Sequence, residues 1–353
     1  MLNRRAFARL TAGAALSPRL ALAAPAPATA FVDRLPAYRP AAQVSGLVRL
    51  WGHGSPTHDF LGDLVKVWMA GFQRRQPGVR FGYQLYGTAS AVGALYTGAG
   101  DIAILGEEIS PDAVRAFTRA RGYAPTDISI ATGSVDVDFF DYAHMIFVHR
   151  DNPLTRLSVP QLEGIFGEDH RLRPRNLRLW GDLGLAGDWA ERPIHPYGWK
   201  VDEDFGLFFR ERVLGGSHRW NPAITEFSTS TSADGRKSDR GQKIVDAVGA
   251  DRFGVGISNV RFKNRDVKPL ALSWKDGGPA CMATPETLIS QAYPLVRIIP
   301  AIVDRAPGRP LAPPVRELLR YILSREGQQA LIDASRYLPL GEAARARQLE
   351  RLA

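Results

Sequence analysis

The sequence predicts an α/β protein built on parallel sheets, and three observations carry that prediction. Short apolar runs alternate with segments whose apolar residues recur at helical spacing. The order strand, loop, helix, strand runs from Gly46 to Gly106, and a second α/β stretch follows from His144. At 353 residues the chain has room for two domains.

Taken in order, "LVRLWG" (47–52) is a short apolar strand that ends in the loop "GHGSPTHD". "FLGDLVKVWMAGFQRRQPG" has apolar residues at helical spacing until Pro77-Gly78 stops it. "VRFGYQLYG" alternates like a strand and runs into "GTASAVGALYTGAG", a loop that opens a small-residue helix. "DIAILG" (101–106) is the next strand. "HMIFVHRDNP" (144–153) is a strand with its turn, and "SVPQLEGIFG" (158–167) is a helix capped by Ser158. "PYGWKVDEDFGLFFRERVLGG" (196–216) reads as a turn and a helix whose first turn holds Asp202, Glu203 and Asp204. "DRFGVGISNV" (251–260) is strand and turn, and "YPLVRIIPAIV" (293–303) is strand-like. "APPVRELLRYILSREGQQALIDA" (312–334) is amphipathic and started by proline. Ligands of such sheets bind beyond the carboxyl ends of the strands, which directs attention to Gly52–Ser55, Gly87–Ser90 and Gly106–Glu108.

Residues 1–30 carry four arginines, no acids, a modest apolar run and an Ala/Pro stretch. That pattern is an export signal, too short and too weakly apolar to span a bilayer. Arg4-Arg5-Ala6-Phe7 with Arg9 is twin-arginine-like, and Ala21-Leu22-Ala23 is a candidate cleavage site, with Ala28-Thr29-Ala30 a weaker one. A periplasmic location is expected. Without the leader's arginines the net charge falls from +9 to about +5. No Lys/Arg run interleaves with aromatics, so nucleic acid is not an expected partner. Cys281 is the only cysteine, which excludes an internal disulfide. The seven histidines show no metal-ligand spacing, so neither metal nor cofactor is expected. There is no GxSxG elbow. A carboxylate pair from Glu107, Asp202 and Glu203 with His53 or His195 as base is the enzymatic alternative, and no catalytic residue is assigned. Residues 31–45 mix prolines with single apolar residues and read as a linker.

Several segments together resemble the phosphate-binding proteins of ABC importers, the PstS-like branch of the type II periplasmic binding proteins. They are "WGHGS", "YGTASAVGALYTGAGDIAILGEEIS", "IFVHRDNPLTRLSVPQLEGIF", "RLWGDL", "LFFRERVLGG", "FGVGISNV" and the stretch from "YPLVRIIPAIV" to "SRYLPL". The resemblance spans roughly residues 46 to 340. It implies a type II periplasmic-binding-protein fold: two α/β lobes with mostly parallel sheets, joined by crossover strands and closing on a small ligand. One lobe is expected from residues 46–143 plus 290–353 and the other from 144–289. The implied function is capture of a small molecule, phosphate in the family, by a monomer that delivers it to an ABC permease.

The resemblance also implies an anhydrous phosphate site of helix-start amides, hydroxyls, an arginine and an aspartate. In the first loop Gly54 with Ser55 or Thr57 takes that place, unless the loop is only a tight turn. In the second, Gly87-Thr88 matches, with the Ala89 and Ser90 amides as further donors, unless Thr88 only caps its helix. In the third, where the family carries an aspartate or a serine pair, Gly106 falls on the expected position and Glu107 comes one residue late, facing the cleft unless it is a solvated loop carboxylate. The fourth departs most: Glu203-Asp204-Phe205 stand where Ser-Gly-Thr is expected, and Trp199 or Lys200 where the arginine is. Two carboxylates facing a phosphate at about 4 Å cost on the order of 4 kcal/mol per pair at an effective dielectric of 20. Three outcomes follow. A carboxylate fills the anion nest itself; or the cleft takes a cationic or polyhydroxy ligand on Glu107, Asp202, Glu203 and Asp204, with Trp199 and Trp51 as stacking surfaces; or the acids only cap the helix. The expected protein is an exported solute-binding protein of altered or reduced phosphate affinity. The alternative is a sensor or an envelope or secretion accessory on the same scaffold.

Overall fold

A computed structural model describes residues 28–53, 60–133, 143–202, 204–231, 237–259, 261–335 and 337–352, apart from the side chains of Phe60, Asp204 and Lys237. The first stretch runs β1 (Gly46–Gly52), α1 (Phe60–Gln73), β2 (Val79–Gln84), α2 (Thr88–Thr97), β3 (Ile102–Ile104), α3 (Pro111–Arg121) and β4 (Thr126–Thr132). The chain then crosses to β5 (His144–His149), β6 (Arg156–Ser158), α4 (Val159–Phe166), β7 (His195–Trp199), α5 (Asp204–Val213) and β8 (Thr225–Phe227). The short pair β9 (Ser230–Thr231) and β10 (Lys237–Ser238) precedes α6 (Arg240–Ala250), β11 (Gly254–Asn259), β12 (Val267–Pro269), β13 (Ala271–Ser273) and α7 (Pro285–Ile289). It crosses back through β14 (Ile298–Val303) to α8 (Pro313–Ile322), α9 (Arg325–Ala334) and α10 (Glu342–Glu350).

Two five-stranded sheets result, ordered β2-β1-β3-β14-β4 and β12-β5-β11-β7-β8. In each, one strand runs against the other four: β14 in the first and β5 in the second. These are the first strands after each crossing. The two crossing segments hold each other, with an antiparallel bridge at Ala143–Val296, the His144 N–H donating to Leu295 O at 3.1 Å, and the Tyr293 hydroxyl donating to His144 O at 2.9 Å.

Each sheet is covered on both faces, as sheets dominated by parallel strands must be. In the first lobe α1, α8 and α9 bury Trp68, Phe72, Leu318 and Leu331 on one face, and α2 and α3 bury Leu95 and Phe117 on the other. In the second lobe α4 and α5 cover one face with Leu162, Phe166 and Phe209, while α6 brings Val245 and Val248 to the other. Helix α4 starts at a capping box: the Gln161 N–H donates to Ser158 Oγ at 3.1 Å, and the Ser158 N–H donates to Gln161 Oε1 at 2.9 Å.

Residues 31–45, expected as a linker, lie against the first lobe. Val32, Leu35 and Tyr38 are buried, and the Tyr38 hydroxyl donates to the buried Glu317 at 2.7 Å. Tyr38 packs on Phe72 of α1 and Tyr321 of α8 while its N–H donates to Glu326 of α9 at 2.8 Å, long-range contacts that local composition does not display. Of the export segment, residues 1–27 lie outside the described residues. No helix among the described residues is long and apolar enough to cross a membrane.

Candidate functional site

Between the lobes lies a cleft of about 880 Å³. Helix α2, the loop after β3 and the start of α3 form one wall, α5 and Trp274 the other, and Arg297 stands where the second crossing enters β14. The first wall follows from the β2–α2 turn. Gly87 sits at φ +153°, a backbone region that side chains disfavour, and its N–H donates to Gly52 O at 3.0 Å. This turn brings the start of α2 to the cleft, where Thr88 and Ala89 line it. Thr88 is the first residue of the helix and no side chain caps that end, so the capping reading of Thr88 is not realised. Ser90 is exposed and turns back, its Oγ donating to Gly87 O at 2.9 Å.

Arg297 organises the base of the cleft. It is 4% exposed; its Nε donates to Glu108 at 2.7 Å and its Nη2 reaches Glu107 at 3.4 Å. The second Glu108 oxygen accepts the Ile298 N–H at 2.6 Å. Glu107 therefore faces the cleft and is paired. The Arg297 guanidinium also lies 4.5 Å from the Phe208 ring centre and 5.9 Å from that of Phe205. Gly106, on the position where the resemblance expects an aspartate or a serine pair, lies under the His53 ring; a Cβ there would meet His53 Cγ at 2.9 Å.

Phe205 packs tilted against Trp199 at 5.3 Å and edge-on against His144 at 5.7 Å, and the Arg240 guanidinium sits 4.5 Å from its centre. An aromatic face thus engages Arg240, and together with Phe208 it flanks Arg297. Trp199, weighed as a stacking surface for a ligand, is 3% exposed and packs on His144 at 4.5 Å. Trp51 is half-buried against the Ala91–Leu95 cluster. Lys200 and Asp202 do not line the cleft; they pair with each other at 3.6 Å in solvent. Gly54, Ser55, Thr57 and Glu203, and the side chain of Asp204, lie outside the described residues. His195, the alternative base, is also absent from the cleft lining. Its Nδ1 is 2.6 Å from Asp251, which also accepts the Tyr197 hydroxyl at 2.8 Å. Burial alone would raise the Asp251 carboxyl, but the Phe253 N–H, His195 and Tyr197 outweigh it and hold it below its usual range.

His144 is fully buried among Trp199, Phe205 and Phe208, with neither ring nitrogen hydrogen-bonded among the described residues. Burial, with Arg297 and Arg240 adding to it, holds its pKa well below the ordinary value, so the native ring is neutral. Replacement by phenylalanine removes two unsatisfied nitrogens, and His144→Phe is expected to stabilise the protein by about 1–2 kcal/mol in urea unfolding at pH 8. The sign of the pH effect follows. Below the unfolded pKa of about 6.5 the unfolded chain takes up a proton that native His144 refuses, so wild-type stability falls by up to about 1.4 kcal/mol per pH unit until the depressed folded pKa is reached. The advantage of His144→Phe therefore grows from pH 7 to pH 5. A lead that stays constant with pH contradicts this assignment.

Arg212, one turn beyond Phe208 on α5, completes the second wall. Its guanidinium lies 5.6 Å from the Phe208 ring centre and 5.5 Å from that of Trp274. Burial lowers its pKa, Glu108 raises it and Arg297 lowers it further. Arg297, Arg212, Trp274 and His144 were not singled out in the sequence, and Glu108 only as the end of the Gly106–Glu108 loop. Two signals were present: an arginine inside the apolar run "YPLVRIIPAIV", and an arginine four residues after Phe208 on one helix face. Among the described residues no three His, Cys, Asp or Glu side chains group as a metal site would need.

The family model described as a PBP superfamily domain matches residues 55–326. The phosphate-binding protein PstS of Pseudomonas aeruginosa is 31% identical over 318 residues, covering 89% of this chain and 90% of that protein. Protein SphX of Synechococcus elongatus is 22% identical over 261 residues, 73% of this chain and 68% of its own length. The crystal structure of PstS from Borrelia burgdorferi superposes with a TM-score of 0.54 at 11% identity, over 84% of this chain and 99% of that one, which is a likeness of fold. The chain belongs to the PBP superfamily and, within it, to the PstS-like solute-binding proteins.

Proposed function

We propose that the chain is an exported solute-binding protein that captures a small molecule between its lobes and hands it to an ABC permease, with reduced affinity for orthophosphate. Its family and its interlobe cleft support solute capture. The observation that carries the altered specificity is the state of Arg297: this buried cation is already bound to Glu108 and Glu107 and flanked by Phe208 and Phe205. An orthophosphate entering here would have to displace two carboxylates, or sit beside them at about 4 kcal/mol per close pair. The replacement of Ser-Gly-Thr by Glu203-Asp204-Phe205 acts in the same direction. The leader of residues 1–30 supports export.

A thermal-shift screen of inorganic anions, organic acids, small cations and sugars tests solute capture. At least one class should raise the unfolding midpoint in a concentration-dependent way, because a ligand bound only to the native state stabilises it by mass action. No shift with any class contradicts it.

A further inference from the structure

Arg212 stands apart from the other charged side chains of the cleft. Glu107 and Glu108 are paired with Arg297, Asp112 with Arg115, and Glu211 with Arg210. Among the described residues Arg212 makes no hydrogen bond or ion pair with any carboxylate; what holds it is the pair of rings, Phe208 and Trp274. A guanidinium fixed between aromatic faces keeps its N–H edge in one plane and available, the geometry that takes an oxyanion with two parallel hydrogen bonds. Arg212 is itself only partly buried and lines the cleft beside Trp274, which is 46% exposed, so a ligand can reach it. Opposite, Val92, Tyr96, Ile109 and Ala116 give the first wall an apolar surface.

Size and charge narrow the occupant. A cleft of about 880 Å³ suits an organic molecule with a body of its own, and sites of roughly 300–1,000 Å³ typically bury such ligands. The carboxylates of Glu107 and Glu108 place negative charge on the loop after β3, and Glu108 lies near enough to act on Arg212. A dianionic head group would meet that charge at full strength, whereas a monoanion balances Arg212 at the lowest cost. Resting on the reading of the chain as a solute-binding protein, we propose that the cleft binds an organic monocarboxylate, its carboxylate on Arg212 and its apolar or aromatic body between Trp274 and the Tyr96 wall.

The test is titration of the full chain with 3-phenylpropionate, followed by calorimetry and by tryptophan fluorescence. Phenyl phosphate, the neutral 3-phenyl-1-propanol and orthophosphate are run in parallel. The carboxylate should bind at least about tenfold tighter than each of the other three. Arg212→Gln should weaken it by about tenfold or more with an unchanged unfolding midpoint, and Trp274→Ala, a change at an exposed position, should weaken it as well. The assignment is overturned by no carboxylate binding up to about 5 mM, by equal binding of the alcohol, by tighter binding of phenyl phosphate, or by carboxylate binding indifferent to Arg212→Gln. If another solute raises the unfolding midpoint while phenylpropionate is silent, only this assignment falls and solute capture stands.

Discussion

Replacing Arg297 by methionine should destabilise the protein by about 3 kcal/mol. Removing one member of a buried ion pair typically costs 3–5 kcal/mol, because the partner is left charged without compensation. The low end applies because the Glu107 and Glu108 side chains are 33% and 30% exposed and can turn partly into water. The loss includes more than one pair. Glu108 ties the loop after β3 to the Ile298 N–H at the head of β14, so loosening it disturbs the strand entering from the second crossing. Urea unfolding measures the effect. Adding Glu107→Gln and Glu108→Gln to Arg297→Met should recover at least half of the loss, since the change then removes both charges and the cation together. A single-variant loss under about 1 kcal/mol would show that Arg297 is not the organising charge of the cleft.

Replacing Glu203-Asp204-Phe205 by Ser-Gly-Thr should raise orthophosphate affinity by about a hundredfold, equivalent to roughly 2.7 kcal/mol. The change removes two carboxylates from a helix start, returns hydroxyl donors to it, and withdraws the ring that faces Arg240 and flanks Arg297. Helix α5 should survive, because serine is a strong helix-start residue and Phe208 and Phe209 still anchor it in the second core. Circular dichroism beside the titration separates a lost helix from a lost effect. Unchanged affinity in a folded variant would place the obstacle elsewhere, with Glu107 and Glu108 as the remaining acids.

Much of the scaffold was legible because its signals are local. The Ser158 cap, the proline start of α8 and the apolar strands at 47–52 and 293–303 announce themselves within a few residues. The order of those pieces, joined to the family phrasing, implied two lobes and their crossing strands. The site was less legible because its contacts are long-range. Arg297 meets Glu108 across 189 positions, and no local pattern shows that Glu108 rather than Glu107 makes the shorter bond. His144 read as an ordinary strand residue, yet it ends up sealed among three rings brought from β7 and α5. Trp199 is the converse case. A tryptophan before an acidic turn suggests a ligand-stacking surface, but β7 lies inside its sheet and turns that ring into the core.

Calorimetric titration of orthophosphate into the unaltered chain is the most direct test of the central claim, that this PstS-like cleft has its own carboxylates and rings in the place of the usual anion. The expected dissociation constant is no tighter than about 100 µM at neutral pH. A submicromolar constant would contradict it.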